Sequence, residues 1–150
     1  MPNFVLERPS PLLMHVDWSK TASTAFAAGQ LVEADSDNSG VGFDAADATS
    51  TKHIGIVQQT IASADSDYAS ATRLSLEVDL MGLYKAEVGT GTPTANYEGY
   101  PCDLNASGLV NVSASAVDVF LINRNLGLGV DGSTYFVLGF IIKWAYVNPN

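Results

Sequence analysis

Arg73-Leu74-Ser75-Leu76-Glu77-Val78-Asp79-Leu80 alternates polar and apolar side chains along its whole length. A β-strand turns successive side chains to opposite faces, so this order puts Leu74, Leu76, Val78 and Leu80 toward a core. Arg73, Ser75, Glu77 and Asp79 then face solvent or a partner. Met81-Gly82 interrupts the pattern, and Leu83-Tyr84-Lys85-Ala86-Glu87-Val88 resumes with β-compatible residues until Gly89-Thr90-Gly91-Thr92-Pro93 ends it. The spacing predicts two strands with a bulge or sharp bend at Gly82.

Working outward, Ala28-Gly29-Gln30-Leu31-Val32-Glu33 and His53-Ile54-Gly55-Ile56-Val57 read as strands on either side of a long loop. That loop, Glu33 to Asp47, is rich in Asp, Asn, Ser and Gly, which favour turns through local side-chain hydrogen bonds or positive φ. Gly99 to Val112, with a turn at Asn105-Ala106-Ser107-Gly108, predicts a hairpin. Val117 to Asn123 and Phe136 to Val147 are continuous apolar and β-branched runs, expected as two-sided core strands. The best short helix candidate lies within Asp65 to Thr72, with Asp65 as its cap. The expected fold is mainly β: a small β-sandwich or β-barrel with long loops, whose core includes Leu74, Leu76, Val78, Phe120, Ile122, Phe136, Phe140 and Trp144.

Pro2, Pro9 and Pro11 surround Leu12-Leu13-Met14 and Val16-Asp17-Trp18. Proline lacks an N–H and disfavours helix before it, so residues 1–25 are expected as an extended proline-rich N-terminal arm ahead of a β domain at 26–150. Leu12 and Trp18 either dock on another molecule or fold back onto their own core.

The chain has 150 residues, enough for one domain with a real core. Sixteen acidic residues against seven basic ones leave a formal charge of −9, which opposes nucleic-acid binding because phosphate contacts need cations. The single Cys102 excludes an intrachain disulfide and cysteine-rich zinc sites. The N-terminus shows no basic and apolar signal pattern, so synthesis in the cytoplasm is expected. The run Tyr135 to Val147 contains Lys143 and is shorter than the roughly 20 apolar residues of a membrane-spanning helix, so no membrane association is expected.

No motif carries chemistry in its proper context. Gly127-Leu128-Gly129-Val130-Asp131-Gly132 matches a dinucleotide-binding glycine pattern, yet a strand-like run follows it where a helix is required, so no cofactor is expected. Asp35, Asp37 and Ser39, followed by Gly40, reproduce the first half of a calcium loop, but the twelfth position is Ala46 rather than glutamate. His15 and His53 stand apart from any recognisable nucleophile motif, and Glu77 with Asp79 is what a half-buried strand ordinarily presents. Asn105 and Asn111 fit the glycosylation acceptor pattern and read as turn and strand residues. The expectation is a protein that is not an enzyme.

Ala27-Ala28-Gly29-Gln30-Leu31-Val32, His53 to Val57 after a variable loop, Gly99 to Val112 and Val137-Leu138-Gly139-Phe140 together resemble the head decoration, or cement, proteins of tailed bacteriophages. The resemblance implies a proline-rich arm before a small β domain that sits on the outer capsid surface and clamps neighbouring major capsid subunits. It also implies location in the virion, a possible homo-oligomer (trimer or dimer), and Phe4, Leu6, Leu12, Leu13 and Trp18 as capsid-docking residues of the arm. Two other readings stay open. One is a calcium- or carbohydrate-binding β-sandwich module using Trp18, Trp144, Tyr97 and Tyr100 as stacking faces; the other is a tail or fibre subunit.

Overall fold

Backbone pairing in the computed structural model, which describes residues 3–34 and 42–147, divides eleven strands between two sheets. In chain order they are β1 (Phe4–Arg8), β2 (Leu13–Ser19), β3 (Leu31–Glu33), β4 (Asp44–Ala45), β5 (His53–Val57), β6 (Arg73–Asp79), β7 (Leu83–Thr90), β8 (Pro101–Leu104), β9 (Val110–Asn111), β10 (Phe120–Leu128) and β11 (Tyr135–Ile141). The first sheet runs β1-β7-β11-β10-β8-β9. One edge of β7 pairs with β11, while its other edge is divided between β1 and a short parallel pairing with β9 at Val88↔Val110. That last pairing closes β7, β11, β10, β8 and β9 into a five-stranded barrel, with β1 as a flap beside it. The second sheet is antiparallel, in the order β2-β6-β5-β3-β4. The mainly β fold expected from the sequence is the one observed.

Alternation explains β6, where Leu74, Leu76 and Val78 are buried and Arg73 and Ser75 exposed. β5 is buried at every position, as its non-alternating sequence requires of a strand covered on both faces. The barrel strands and the inner side of the second sheet share a core that includes Phe4, Ile56, Val78, Tyr84, Phe120, Ile122, Val137 and Trp144. A second cluster, built on Val32, Ile54, Val57, Leu74 and Leu76, is closed by Phe26, Phe43 and Ile61 from the loops. Beside it Lys20 is fully buried; its ammonium donates to Tyr68 O (2.8 Å) and Thr21 O (3.2 Å), fixing the 63–71 turns.

Three segments join the layers, the first being residues 9–12 between β1 and β2. At residues 79–82 a turn closed by Gly82 N–H to Asp79 O (3.2 Å) carries the chain from β6 into the barrel. At the other end, residues 142–147 cross back: His53 N–H donates to Lys143 O (3.0 Å), Ala145 N–H to His53 O (2.9 Å), and the His53 ring places Nδ1 3.0 Å from the same Lys143 carbonyl.

Three expectations need correction. Residues 4–8 and 13–19, assigned from sequence to an arm spanning 1–25, are strands of the two sheets, with β2 paired to β6 from Leu13↔Asp79 to Ser19↔Arg73. Pro9 and Pro11 lie in the connection between them, where a missing N–H breaks no ladder, so they punctuate strands instead of holding an arm extended. Residues 65–72 form turns and no helix, because the Asp65 carboxylate accepts from Ala62 N–H (2.7 Å), upstream of the segment it was expected to cap. Phe140 is only half-buried, at the rim of the core.

Two stability tests arise from this packing. A β-carbon on Gly139 would lie 2.2 Å from Leu121 O and 2.6 Å from the Phe120 ring, so Gly139→Ala forces β11 away from β10. Urea unfolding is expected to show a loss of about 3 kcal/mol, the upper end for overpacking. Burial holds the His53 pKa at about 4, against opposing effects of the Lys143 carbonyl and Asp47. The unfolded chain therefore takes up the proton first, and stability falls from about pH 6.5 down to about pH 4, by about 3 kcal/mol in all. Urea midpoints across that range should decline in the native chain, and His53→Gln should decline less, by about the histidine's share.

Candidate functional site

The corner between the layers is held by one carboxylate. Asp79 is buried, and it accepts from Ser10 N–H (2.6 Å), from the Ser10 hydroxyl and from Met81 N–H (3.2 Å). Ser10 also receives Leu12 N–H on its hydroxyl (3.1 Å) and Leu13 N–H on its carbonyl (3.1 Å). Two turns, one before β2 and one after β6, are thereby fixed to each other. Their tips carry Leu12, 50% exposed, Leu13, and Met81, 62% exposed.

Met81 also belongs to a groove of about 390 Å³ lined by Leu80, Leu121, Phe140, Ile141, Ile142, Trp144 and Val147. The lining contains no charged residue, although the chain carries −9. Ile142 and Val147, on the C-terminal crossing segment, are exposed beside it. Large apolar side chains displayed together from rigid turns characterise an interaction surface better than scattered exposed leucines do. Fully burying one such side chain is worth about 1.5–3 kcal/mol, so a few suffice for recognition.

The five residues expected to dock separate into three groups. Phe4 is only 2% exposed and packs its ring 6.1 Å from that of Phe120, so it is a core residue and unavailable for docking. Leu6 is half-buried against the same core. Leu12, Leu13 and Trp18 remain exposed, but Trp18 is tethered: its Nε1 donates to Tyr146 Oη (3.2 Å), which donates on to Ile54 O (2.7 Å). Through Asp79 the turn that carries Leu12 and Leu13 is tied to the turn of Met81, a residue that sequence reasoning passed over. Its signal was present, since a large apolar residue at a strand interruption has no core to enter.

Asp35, Asp37 and Ser39 lie outside the described residues. Among the described residues no group of three or more His, Cys, Asp or Glu side chains is placed to hold a metal ion. Trp144 is 2% exposed, which removes it as a stacking face for sugars, and Tyr97 and Tyr100 pack edge to face on each other at 5.1 Å. His53 is buried and committed to the Lys143 carbonyl, whereas His15 is exposed on β2 opposite Glu77. Burial, with help from Asp103 and Asp118, pushes the Cys102 thiol up to about 12, far from nucleophilic reactivity. Gly129 and Gly132 turn the β10–β11 hairpin, with Gly129 N–H on Thr134 O (2.7 Å).

Asp79→Ala would leave two backbone N–H groups and a hydroxyl without their acceptor. Urea unfolding should show a loss of about 3 kcal/mol, with Asp79→Asn, which keeps one acceptor oxygen, losing less. Unchanged stability in Asp79→Ala would show that the two turns do not depend on this carboxylate. No protein-family model matches the chain, and neither a curated protein nor a solved structure matches it.

Proposed function

We propose that this chain is a non-enzymatic structural protein of a phage virion, which binds the outer surface of the capsid lattice and stabilises it by clamping neighbouring major capsid subunits. The observation that carries the reading is the uncharged apolar groove of Met81, Leu121, Phe140, Ile142 and Val147, with Leu12 and Leu13 exposed on the turn that Asp79 ties to that of Met81. It adds a physical reason to the sequence resemblance. An apolar contact of this size is weak for one copy, but repetition over a lattice multiplies weak contacts into strong retention. The acidic remainder of the surface would keep a crowded particle exterior soluble and mutually repelling.

A tail or fibre subunit would turn the same surface toward its own copies and associate tightly in the absence of shells. The carbohydrate-binding reading loses support with Trp144 buried in the core.

Co-sedimentation with mature shells lacking the chain tests the proposal. The native chain should bind saturably and raise the shell's resistance to heat. Met81→Asp combined with Ile142→Asp should weaken binding at least about tenfold, since each substitution removes apolar burial worth more than about 1.4 kcal/mol. Absence of native binding, or equal binding by the double variant, would contradict the proposal.

A further inference from the structure

The layers part beside β1. Phe4 N–H donates to Gly29 O (3.0 Å), and a cleft of about 250 Å³ lies next to that bond, with Val5 and Leu6 on one side and Val57, Gln58 and Glu77 on the other. Pairing with β7 decides which backbone groups of β1 face the cleft. Asn3 O accepts from Glu87 N–H (2.9 Å), so Asn3 and Val5 turn their groups toward β7 while Phe4 and Leu6 turn theirs away. Gly29 takes the Phe4 N–H. β1 is the edge strand of its sheet, and the alternation leaves the Phe4 carbonyl and both the N–H and carbonyl of Leu6 on the side away from β7. This is an open strand edge, spaced to receive another strand.

Glu77 is the one charged residue in the cleft lining. Its carboxylate makes no hydrogen bond or ion pair with the described residues and is half-buried. Burial is the main influence raising its pKa; His15 across the strand pair lowers it, and Asp79 raises it again. A carboxylate left in this way is stabilised by an incoming cation.

We propose that the cleft accepts an extended segment of another polypeptide, paired with the free edge of β1 at Leu6 and presenting a lysine or arginine to Glu77. Outward-facing backbone groups at strand spacing call for a peptide backbone, which a small amine does not supply. The apolar walls Val5, Leu6 and Val57 suit β-branched residues alternating with the basic ones. Charge selects the partner: a second copy of this chain brings a further −9, whereas a basic segment is drawn in by the same field. The cleft shares no lining residue with the Met81 groove, so the inference stands independently of shell binding.

The test uses the full-length, nitrogen-15-labelled chain and the capped pentapeptide Val-Lys-Val-Lys-Val, followed by NMR. The expected result is a saturable shift and slowed hydrogen exchange of the Leu6 amide. Affinity should fall at least about tenfold for the corresponding Val-Glu-Val-Glu-Val peptide, for the lysine peptide with an N-methylated backbone, and for Glu77→Gln, as loss of a charge-assisted contact or a strand hydrogen bond implies. Glu77→Lys should reverse the preference and take the glutamate peptide. No saturable shift at Leu6 up to about 1 mM lysine peptide, the weak end of specific binding, would overturn the proposal. Equal binding of both peptides, or binding indifferent to Glu77→Gln and to N-methylation, would overturn it as well.

Discussion

Asp79 is a buried carboxylate whose oxygens are satisfied by nearby N–H and O–H donors, and the relation between the two layers turns on it. The chain leaves the second sheet at Asp79 and enters the barrel four residues later at Leu83, with Asp79 O receiving Gly82 N–H to close the corner. A buried charge is tolerated only when its lone pairs are satisfied, and here Ser10 and Met81 supply the donors. The requirement works in both directions. Meeting it pins the turn before β2 onto the turn after β6, so the edge strand of one sheet is registered to the entrance of the barrel. Gly82 has no room for a side chain in this corner, since a β-carbon would meet the Asp79 carboxyl carbon and Leu6 at 2.7 Å.

The same chemistry recurs at several other turns of the chain. Asp103 accepts from the N–H groups of Ala116, Val117 and Asp118 at 2.7–3.0 Å; burial raises its pKa, but these three bonds bring it below the usual carboxylate range. Asp47 accepts from the N–H and hydroxyl of Thr49, and Asp131 from Ser133 and Thr134, whose hydrogen bonds hold its pKa at about 2. Much of the acidity of this chain is thus explained by turn construction, because aspartate reaches nearby backbone N–H groups that an all-β fold leaves over at its loops. The net charge is a consequence of fold as much as a statement about partners. The uncharged groove stands in contrast to that acidic surface.

Much of the fold was legible because period-2 alternation and continuous β-branched runs are local signals. β6 and the β8–β9 hairpin fall where those patterns put them, whereas of the two runs expected as two-sided core strands β10 starts at Phe120, extends to Leu128 and is buried only at Phe120 and Ile122, and β11 ends at Ile141. The sheet assignments were not legible, since closure of the barrel rests on a two-residue parallel contact of β7 with β9 that no local pattern announces. Asp79 shows the limit of alternation: its parity in β6 predicts solvent, yet the Ser10 turn folds over it. Phe4 and Trp18 looked equivalent as aromatic anchors of a proline-rich segment, but pairing of β1 with β7 delivers Phe4 to the barrel core while edge strand β2 leaves Trp18 at the rim. The apolar surface proposed to bind was half visible, through Leu12 and Leu13. Its other half comes from a turn and from the C-terminal crossing segment, residues far apart in sequence that only the tertiary fold assembles.

The central functional claim is that the face bearing Leu12, Leu13, Met81 and the adjoining groove is the face that meets a shell. The most direct measurement is a cryo-electron microscopy difference map of shells with and without the bound chain, at a resolution that orients the barrel. The account predicts density in which the turns joined by Asp79 and the Ile142–Val147 segment point inward onto the junction of neighbouring capsid subunits. Density with those turns facing solvent, and the opposite end of the molecule on the shell, would contradict it.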